Sequence, residues 1–480
     1  MKTVKIKDLT DSFKNFWQEY ARFKMGLIGL FLLIGFVLTA LFAPIIASGE
    51  AYENWSDIAY WEEHPKGVPP AWTDYFSSKK AAVQYVSTDP YLTIKLYGQL
   101  NISVVNATFN YDYYYDVPPE NIIIKIWANI SGTKSGVLSL HVVRPDNKTI
   151  SNLVTEKHKG GVIRIPFLRR ADEKVKKGLS AFARQYESEE NLKKIETQEH
   201  LINLMAIVFS KAEPGIMLGK AGPLKGEYKF VMQLSLFNEG DVFDSARMII
   251  AGSVYGLLGT DTYGRDLFVG IVWGSRLALV IGLLTAVISV TIGVFYGVTS
   301  AYLGGTTDEV MQRIMETIAS IPLLPILIII SFVMQPTIWN LVLLMIVFYW
   351  VGPVKTIRSM ALQIKEEAYI EASRALGCSG WRIVFKHITP QVLPYMFALM
   401  AMAVPGAILT EAGVSFLMGM QGVSEPTWGR ILHDAQAASA TINGMWWWVL
   451  SPGVLICIAG LTFVFIGNAL DRVLNPTLKR

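Results

Sequence analysis

Residues 25–49 contain no charged side chain. The hydrocarbon layer of a bilayer takes about 20 apolar residues in helical form, because every backbone N–H and C=O inside it must be paired within the segment. Few folds other than a membrane-crossing helix are open to such a run. A secretory signal core is shorter, about 7–15 residues, and lacks so long a polar leader. In residues 1–24, Lys2, Lys5, Lys7, Lys14, Arg22 and Lys24 stand against Asp8, Asp11 and Glu19. The excess of cations predicts a cytoplasmic leader and a retained first span at 25–49.

The same texture returns after residue 259. Apolar runs at 277–302, 310–336, 338–354, 391–410 and 446–466 predict five more spans, six in all. Gly282, Gly293 and Gly297 give the second span the small residues that let helices approach closely. Gly304 and Gly305, with Asp308 and Glu309, predict a short cytoplasmic turn before the third. Pro322, Pro325, Pro394 and Pro405 predict kinks whose freed carbonyls can line a cavity. Glu411 follows the fifth run; it either faces protein or a water-filled cavity, or marks a helix end at the outer interface. We therefore expect Pro322, Pro325, Pro405 and Glu411 along a translocation path. Trp446, Trp447 and Trp448 are expected to anchor the sixth span at the outer interface.

Residues 50–258 break the pattern, carrying charges and aromatics and no spanning run. Alternation predicts strands at 91–97, 100–109, 122–127, 136–143 and 228–237, separated by turns such as Pro145-Asp146-Asn147. The Glu-, Lys-, Ala- and Leu-rich stretch 171–211 predicts helix. The expected domain is a β-sandwich with a helical insertion, outside the cell because one span separates it from the leader. Asn-x-Ser/Thr sequons at Asn54, Asn101, Asn106, Asn129 and Asn147 all fall in this region and are candidate glycosylation sites, though sequons also arise by chance in polar sequence.

Composition narrows the chemistry. With 52% hydrophobic and 17% charged residues, the 480-residue chain is too apolar for an ordinary soluble protein and too charged to be wholly embedded. A net charge of +4, its cations gathered at both ends and near residue 370, gives no nucleic-acid footprint. Cys378 and Cys457 lie in separate regions, so no disulfide framework can be drawn. His64, His141, His158, His200, His387 and His433 have no metal-ligand spacing, and no metal site is expected. The stretch 215–221 lacks the spacing and the Ser/Thr of a phosphate-binding loop. An energy source in ATP would have to be bound by another chain, and no cofactor is expected in this one.

Residues 366–390 form a polar island between two apolar runs. Ala368, Ala372 and Ala375 recur at helical spacing over a first helix at 365–376. Gly377 suits a left-handed cap, and Ser379 opens a second helix with Trp381, Phe385 and Ile388 on one face. From pattern alone, an amphipathic connector on the membrane surface fits as well as a docking element. The order Glu371-Ala372-Ser373-Arg374, then Gly377, Trp381 and Pro390, resembles the EAA loop of ABC importer permeases. Ser373, His387 and Thr389 depart from the broad pattern; the ending His387-Ile388-Thr389-Pro390 is similar to the dipeptide/oligopeptide branch. The segment Gly259-Thr-Asp-Thr-Tyr-Gly-Arg-Asp266, with Gly274-Ser-Arg276, resembles the C-type permease of that branch, as do Glu411 to Gly419 and 426–430. Taken alone, Thr260 or Asp261 can cap a helix, with Arg265 and Asp266 hydrated at an interface. The tail 467–476 is similar to the family's C-terminal motif, with altered charges at Asn468, Asp471, Arg472 and Asn475.

The resemblance implies a mainly α membrane protein of the type I importer permease fold, its core at 259–480, interrupted by the outer domain. It implies a transport subunit for dipeptides or oligopeptides, with oligosaccharide or nickel transport as the alternative in the same branch. It further implies partners: a second homologous permease, two ATP-binding subunits carrying ATP and Mg, and an extracytoplasmic solute-binding protein. Both termini would be cytoplasmic and the 365–390 loop would be the coupling element.

Overall fold

A computed structural model describes residues 14–97, 102–130, 135–151, 153, 155–158, 161–166, 173–334, 337–419 and 425–474. The chain divides into two compact units, one of residues 1–56 with 268–480 and one of residues 57–267. Most of the leader, Asn101, the Gln335-Pro336 pair and the Asn475-Pro476 end of the tail lie outside the described residues.

Helix α1, Lys24–Ile46, is apolar around its whole circumference, as a membrane-spanning helix is. The first span thus ends three residues short of position 49, and a separate short helix, Gly49–Glu53, follows after Ser48 caps it.

The β-rich unit contains β1 (Tyr85–Ser87), β2 (Tyr91–Tyr97), β3 (Ile102–Tyr113), β4 (Asn121–Asn129), β5 (Gly136–Val143), β6 (Thr149–Ile150), β7 (Thr155–His158), β8 (Gly161–Pro166), β9 (Gly226–Leu236) and β10 (Val242–Ala251). One sheet has the order β1-β10-β4-β8; the other runs β2-β3-β9-β5-β6, with β7 also on β5. All the ladders between these strands are antiparallel. Side chains on a strand alternate between faces, so Tyr228, Phe230, Met232, Leu234 and Leu236 of β9 point inward together. They share one core with Ile122, Ile124 and Ile126 of β4 and Met248 and Ile250 of β10. Two sheets closing on a common core is a sandwich.

The helical insertion is three short helices rather than one stretch: α2 (Glu173–Arg184), α3 (Glu189–Thr197) and α4 (Leu204–Phe209). Arg144, 1% exposed, holds α4 in place; its guanidinium donates to the carbonyls of Ile207 (2.9 Å) and Ser210 (2.5 Å) and lies over the Phe182 ring. Glu187 is buried in part, which raises its carboxyl pKa, but hydrogen bonds from Asn191 and from the N–H groups of Gly215, Met217 and Ser188 outweigh that and leave it below the ordinary glutamate value.

The unit reaches past residue 258. Thr260 and Asp261, both fully buried, cap no helix: Thr260 accepts from the Val68 N–H, and Asp261 closes a turn by accepting from the N–H groups of Tyr263 and Arg265 and from the Arg265 side chain. Arg265, expected to be hydrated, is 5% exposed because that carboxylate neutralises it.

The second unit continues with α5 (Leu267–Leu303), α6 (Gly305–Ala319), α7 (Leu323–Val333), α8 (Ile338–Tyr349), α9 (Val351–Lys365), α10 (Ala368–Ala375), α11 (Gly380–Ile383), α12 (Thr389–Met418), α13 (Trp428–Ala437) and α14 (Trp446–Leu474). Five helical stretches are long and apolar enough to cross a membrane, and the pair α6 and α7, bent by 77°, makes a sixth if counted as one. The spans differ from expectation in their bounds. The second begins at Leu267, ten residues early. The third is not continuous: Pro322, with no helical partner for its missing N–H, sits at the break, and Pro325 falls in the first turn of α7, where no intrahelical bond is lost. The fourth does not end at 354 but continues as helix to Lys365. Of the tryptophan cluster, Trp446 is 44% exposed, whereas Trp447 and Trp448 are buried, so only the first suits an interfacial anchor. The sixth helix runs to Leu474 and takes most of the tail motif into its last turns.

Candidate functional site

The island at 366–390 is built on a buried anchor. Ile370, Ile383, Val384 and Ile388 are each at most 1% exposed and join Val290, Val294 and Val298 of α5 and Ile357 and Ala361 of α9 in one core. Burying an Ile or Val side chain contributes roughly 1.5–3 kcal/mol, so four anchors fix the segment firmly. The opposite surface is left open. Glu371, Ala372 and Arg374 are exposed, and Ala368 and Ala375 complete an exposed alanine stripe. Leu376 is 86% exposed and Trp381 62%, the latter stacked on Phe385 at 5.9 Å. Large apolar side chains therefore stand exposed beside small ones on this face.

The first helix is shorter than 365–376, spanning Ala368–Ala375, because Glu366 and Glu367 turn the chain between α9 and α10. Its end has the expected cap. Gly377 has φ +77°, its N–H donates to the Arg374 carbonyl, and the Cys378 N–H reaches back to Ser373, the paired bonds of a Schellman motif. Ser373 turns its hydroxyl onto the Tyr369 carbonyl at 2.7 Å and is half-buried. The Arg374 guanidinium lies 5.8 Å from the Tyr302 ring centroid. Trp381, Phe385 and Ile388 do not share a face: a π-helical turn at Val384–Ile388 rotates Ile388 into the core and leaves the two aromatics outside. Pro390 is exposed at the second position of α12, directly after the π-helical turn. A cleft of about 260 Å³ lined by Thr299, Tyr302, Leu303, Gly380, Trp381 and Val384 lies beside this surface.

The residues expected on a translocation path are not brought together as one site. Pro322 and Pro325 are exposed at the start of α7, whereas Pro405 is buried within α12. Glu411 is inside α12 and 3% exposed, not a helix-end carboxylate at an interface. Its Oε1 accepts from Ser415 at 2.8 Å, one turn on, and it takes a second hydrogen bond from Thr427, the residue that caps α13. Beside Glu411 in the chain, Thr410 shares a 2.6 Å hydrogen bond with Tyr349 of α8.

One group escapes sequence reasoning. Asp308 is no exposed turn residue but sits in the first turn of α6, 9% exposed, where it takes both Nε (2.8 Å) and an η-nitrogen (2.5 Å) of Arg358 from α9. The Ser300 hydroxyl donates to the same carboxylate, and Gln312 donates to Ser300 at 2.9 Å. Lys365 donates to the Ala301 carbonyl at the end of α5, at 3.1 Å. Fifty residues separate the ionic partners, so no local spacing announces them. Among the described residues no group of His, Cys, Asp and Glu could hold a metal.

Comparison with known proteins gives consistent matches. Residues 289–480 match the family described as binding-protein-dependent transport system inner membrane component, and residues 12–61 match the N-terminal TM domain of oligopeptide transport permease C. The chain is 34% identical to the dipeptide transport system permease protein of Bacillus subtilis (strain 168) over 224 residues, 46% of this chain and 69% of that protein. It is 35% identical to the oligopeptide transport system permease protein of Haemophilus influenzae, covering 46% of this chain and 70% of the relative. Similarity to the glutathione transport system permease protein of Pectobacterium atrosepticum is 28% over 244 residues, 51% of this chain and 80% of the relative.

Proposed function

Because the chain belongs to the permease family of binding-protein-dependent transport systems, in its dipeptide/oligopeptide branch, we propose that it is one membrane subunit of an ATP-driven peptide importer. The observation that carries this reading is the surface of α10 and α11: anchored from below by Ile370 and Ile383, and open above with Leu376, Trp381 and Phe385. Such a surface transmits force only if a second protein grips it. That protein would be an ATPase subunit, with Glu371, Ala372, Ser373, Arg374 and Gly377 at the contact and ATP and Mg bound on the partner's side. The permease itself would catalyse no reaction.

Two ATPase subunits, a second permease and an extracytoplasmic binding protein complete the proposed assembly. Closure of the ATPase pair would draw the coupling segments together and expose the substrate cavity to alternate sides of the membrane. The leader and the coupling segment would lie in the cytoplasm and the sandwich outside. Among the described sequons, Asn129 and Asn147 are the exposed ones and the candidates for glycosylation.

The test is purification of the complex through this chain in mild detergent, followed by ATPase assays with the binding protein and a panel of peptides and oligosaccharides. Co-purification of an ATPase stimulated by peptides is expected. Failure to recover any ATPase subunit overturns the proposal, and stimulation by oligosaccharides alone overturns the substrate class.

A further inference from the structure

The third span is divided between two packing groups. On the α6 side, Met315 is buried with Val351 and Val354 of α9. On the α7 side, Leu327 is buried with Leu341 and Met345 of α8 and Ala407 and Val414 of α12. Only Ser320, Ile321 and Pro322 join the two halves, and the helix axis turns by 77° there.

What α6 is tied to is equally specific. Helix α9 lies against α5 with almost no space between them: a Cβ on Gly293 would stand 2.4 Å from the Trp350 carbonyl oxygen, and one on Gly297 would stand 2.9 Å from that of Val354. Its centre is forked onto α6 by Arg358 and Asp308, and its last residue, Lys365, holds the end of α5. Three residues later the chain enters α10, whose Ile370 shares a core with Ile357 and Ala361 of α9. A guanidinium and a carboxylate joined through two parallel hydrogen bonds resist rotation as well as separation, which a single contact does not.

We infer that the Arg358–Asp308 pair is the strut that carries displacement of the coupling segment into α6, so that the third span flexes at residues 320–322 while α7 stays with α8 and α12. The inference rests on the proposed role of α10 as the coupling helix. Arg358 and Asp308 are positioning residues on this account and touch neither substrate nor nucleotide. Their removal separates ATP hydrolysis from transport without disturbing the binding of either.

Single substitutions confound this role with folding, because removing Arg358 leaves the buried Asp308 carboxylate without its counter-ion, whereas removing both together is often nearly neutral for stability. The informative variant is therefore Asp308→Asn with Arg358→Gln, in the full complex reconstituted in proteoliposomes with its ATPase and binding protein. Assembly and ATPase rate are expected to match the parent, while ATP hydrolysed per peptide imported rises on the order of tenfold. A second variant restores the mechanical link without the charges: Asp308→Cys with Arg358→Cys, in a background with Cys378→Ser and Cys457→Ser, bridged by a short bis-thiosulfonate. Bridging is expected to bring the ratio back towards the parent, and reduction to release it again. A double variant as tightly coupled as the parent overturns the inference, and so does a bridged protein that stays uncoupled. A parent complex showing no peptide-stimulated hydrolysis at all overturns the importer reading instead, and the strut with it.

Discussion

Gly377 allows the proposed docking surface to be tested by backbone conformation alone. Its φ of +77° is in the left-handed region, and a Cβ built there meets nothing within 4 Å. Substitution therefore adds strain but no clash. An L-residue with a Cβ costs about 1–2 kcal/mol in this region, more when β-branched and less for Asn, whose short amide tolerates it. The chain can escape the strain only by giving up the Gly377–Arg374 and Cys378–Ser373 hydrogen bonds, each contributing about 0.5–1.5 kcal/mol. Losing both bonds costs about 1–3 kcal/mol, so the strained cap at about 1–2 kcal/mol sets the scale, a factor of roughly 5–30 in the population of capped loops. If the ATPase selects the capped loop, its affinity should fall in the order Gly, Asn, Ala, Val. The assay titrates purified ATPase subunit onto the permease and measures retention, with peptide uptake in proteoliposomes alongside. Gly377→Val retaining parental affinity would refute the conformational argument. Asn and Val weakening binding equally would also refute it, by pointing to contact at the α-carbon itself.

Other expectations follow from single contacts. Arg144→Met removes two charge-assisted hydrogen bonds inside the sandwich unit and should destabilise it by about 3–5 kcal/mol, read as faster deuterium exchange in 204–210 of the full chain in detergent. Glu187 has its folded pKa below its unfolded one, so its contribution is complete above the ordinary glutamate value and is lost as pH falls through the folded value. Glu187→Gln should flatten that acid limb of the unit's stability, measured by exchange at Gly215 and Met217 against pH. Gly293→Leu places a side chain where the Trp350 carbonyl stands and should prevent α5 and α9 from packing, seen as loss of the assembled complex on gel filtration; Gly352→Ala, with open space at its Cβ, should be tolerated.

The legible parts of this chain are those in which one face decides everything. Strands 91–97 and 136–143 are found where alternation predicts them because one side of each ladder is uniformly apolar or uniformly open. Strand β10 escapes the same reasoning because Asp244 and Arg247 interrupt its apolar side chains, Arg247 pairing with Glu63 at 3.2 Å. The broken third span has a visible sign: a span begun at Val310 takes in Arg313 and Glu316, and α6 carries those charges because its outer face is open. The proposed docking surface is legible through its glycine and its alanine stripe. The strut behind it is not, since Arg358 finds Asp308 through the packing of α9 on α6, a relation no local spacing encodes.

The turn made by Thr260 and Asp261 also fastens the base of the sandwich unit. The Gly67 N–H donates to the Asp261 carbonyl and the Thr260 N–H to Val68, while the Tyr255 N–H meets Pro69 and that of Ala71 meets Gly256. The sandwich is thus pinched shut at its neck, with the segment that leaves hydrogen-bonded to the segment that arrives. A module closed in this way imposes no length on the chain carrying it, because the two ends are already at hairpin distance and a short turn could replace everything between them. Its presence in a transport protein is then a matter of insertion into a single loop. Excising residues 70–254 and joining the neck with a tight turn would leave a permease stripped to its membrane frame.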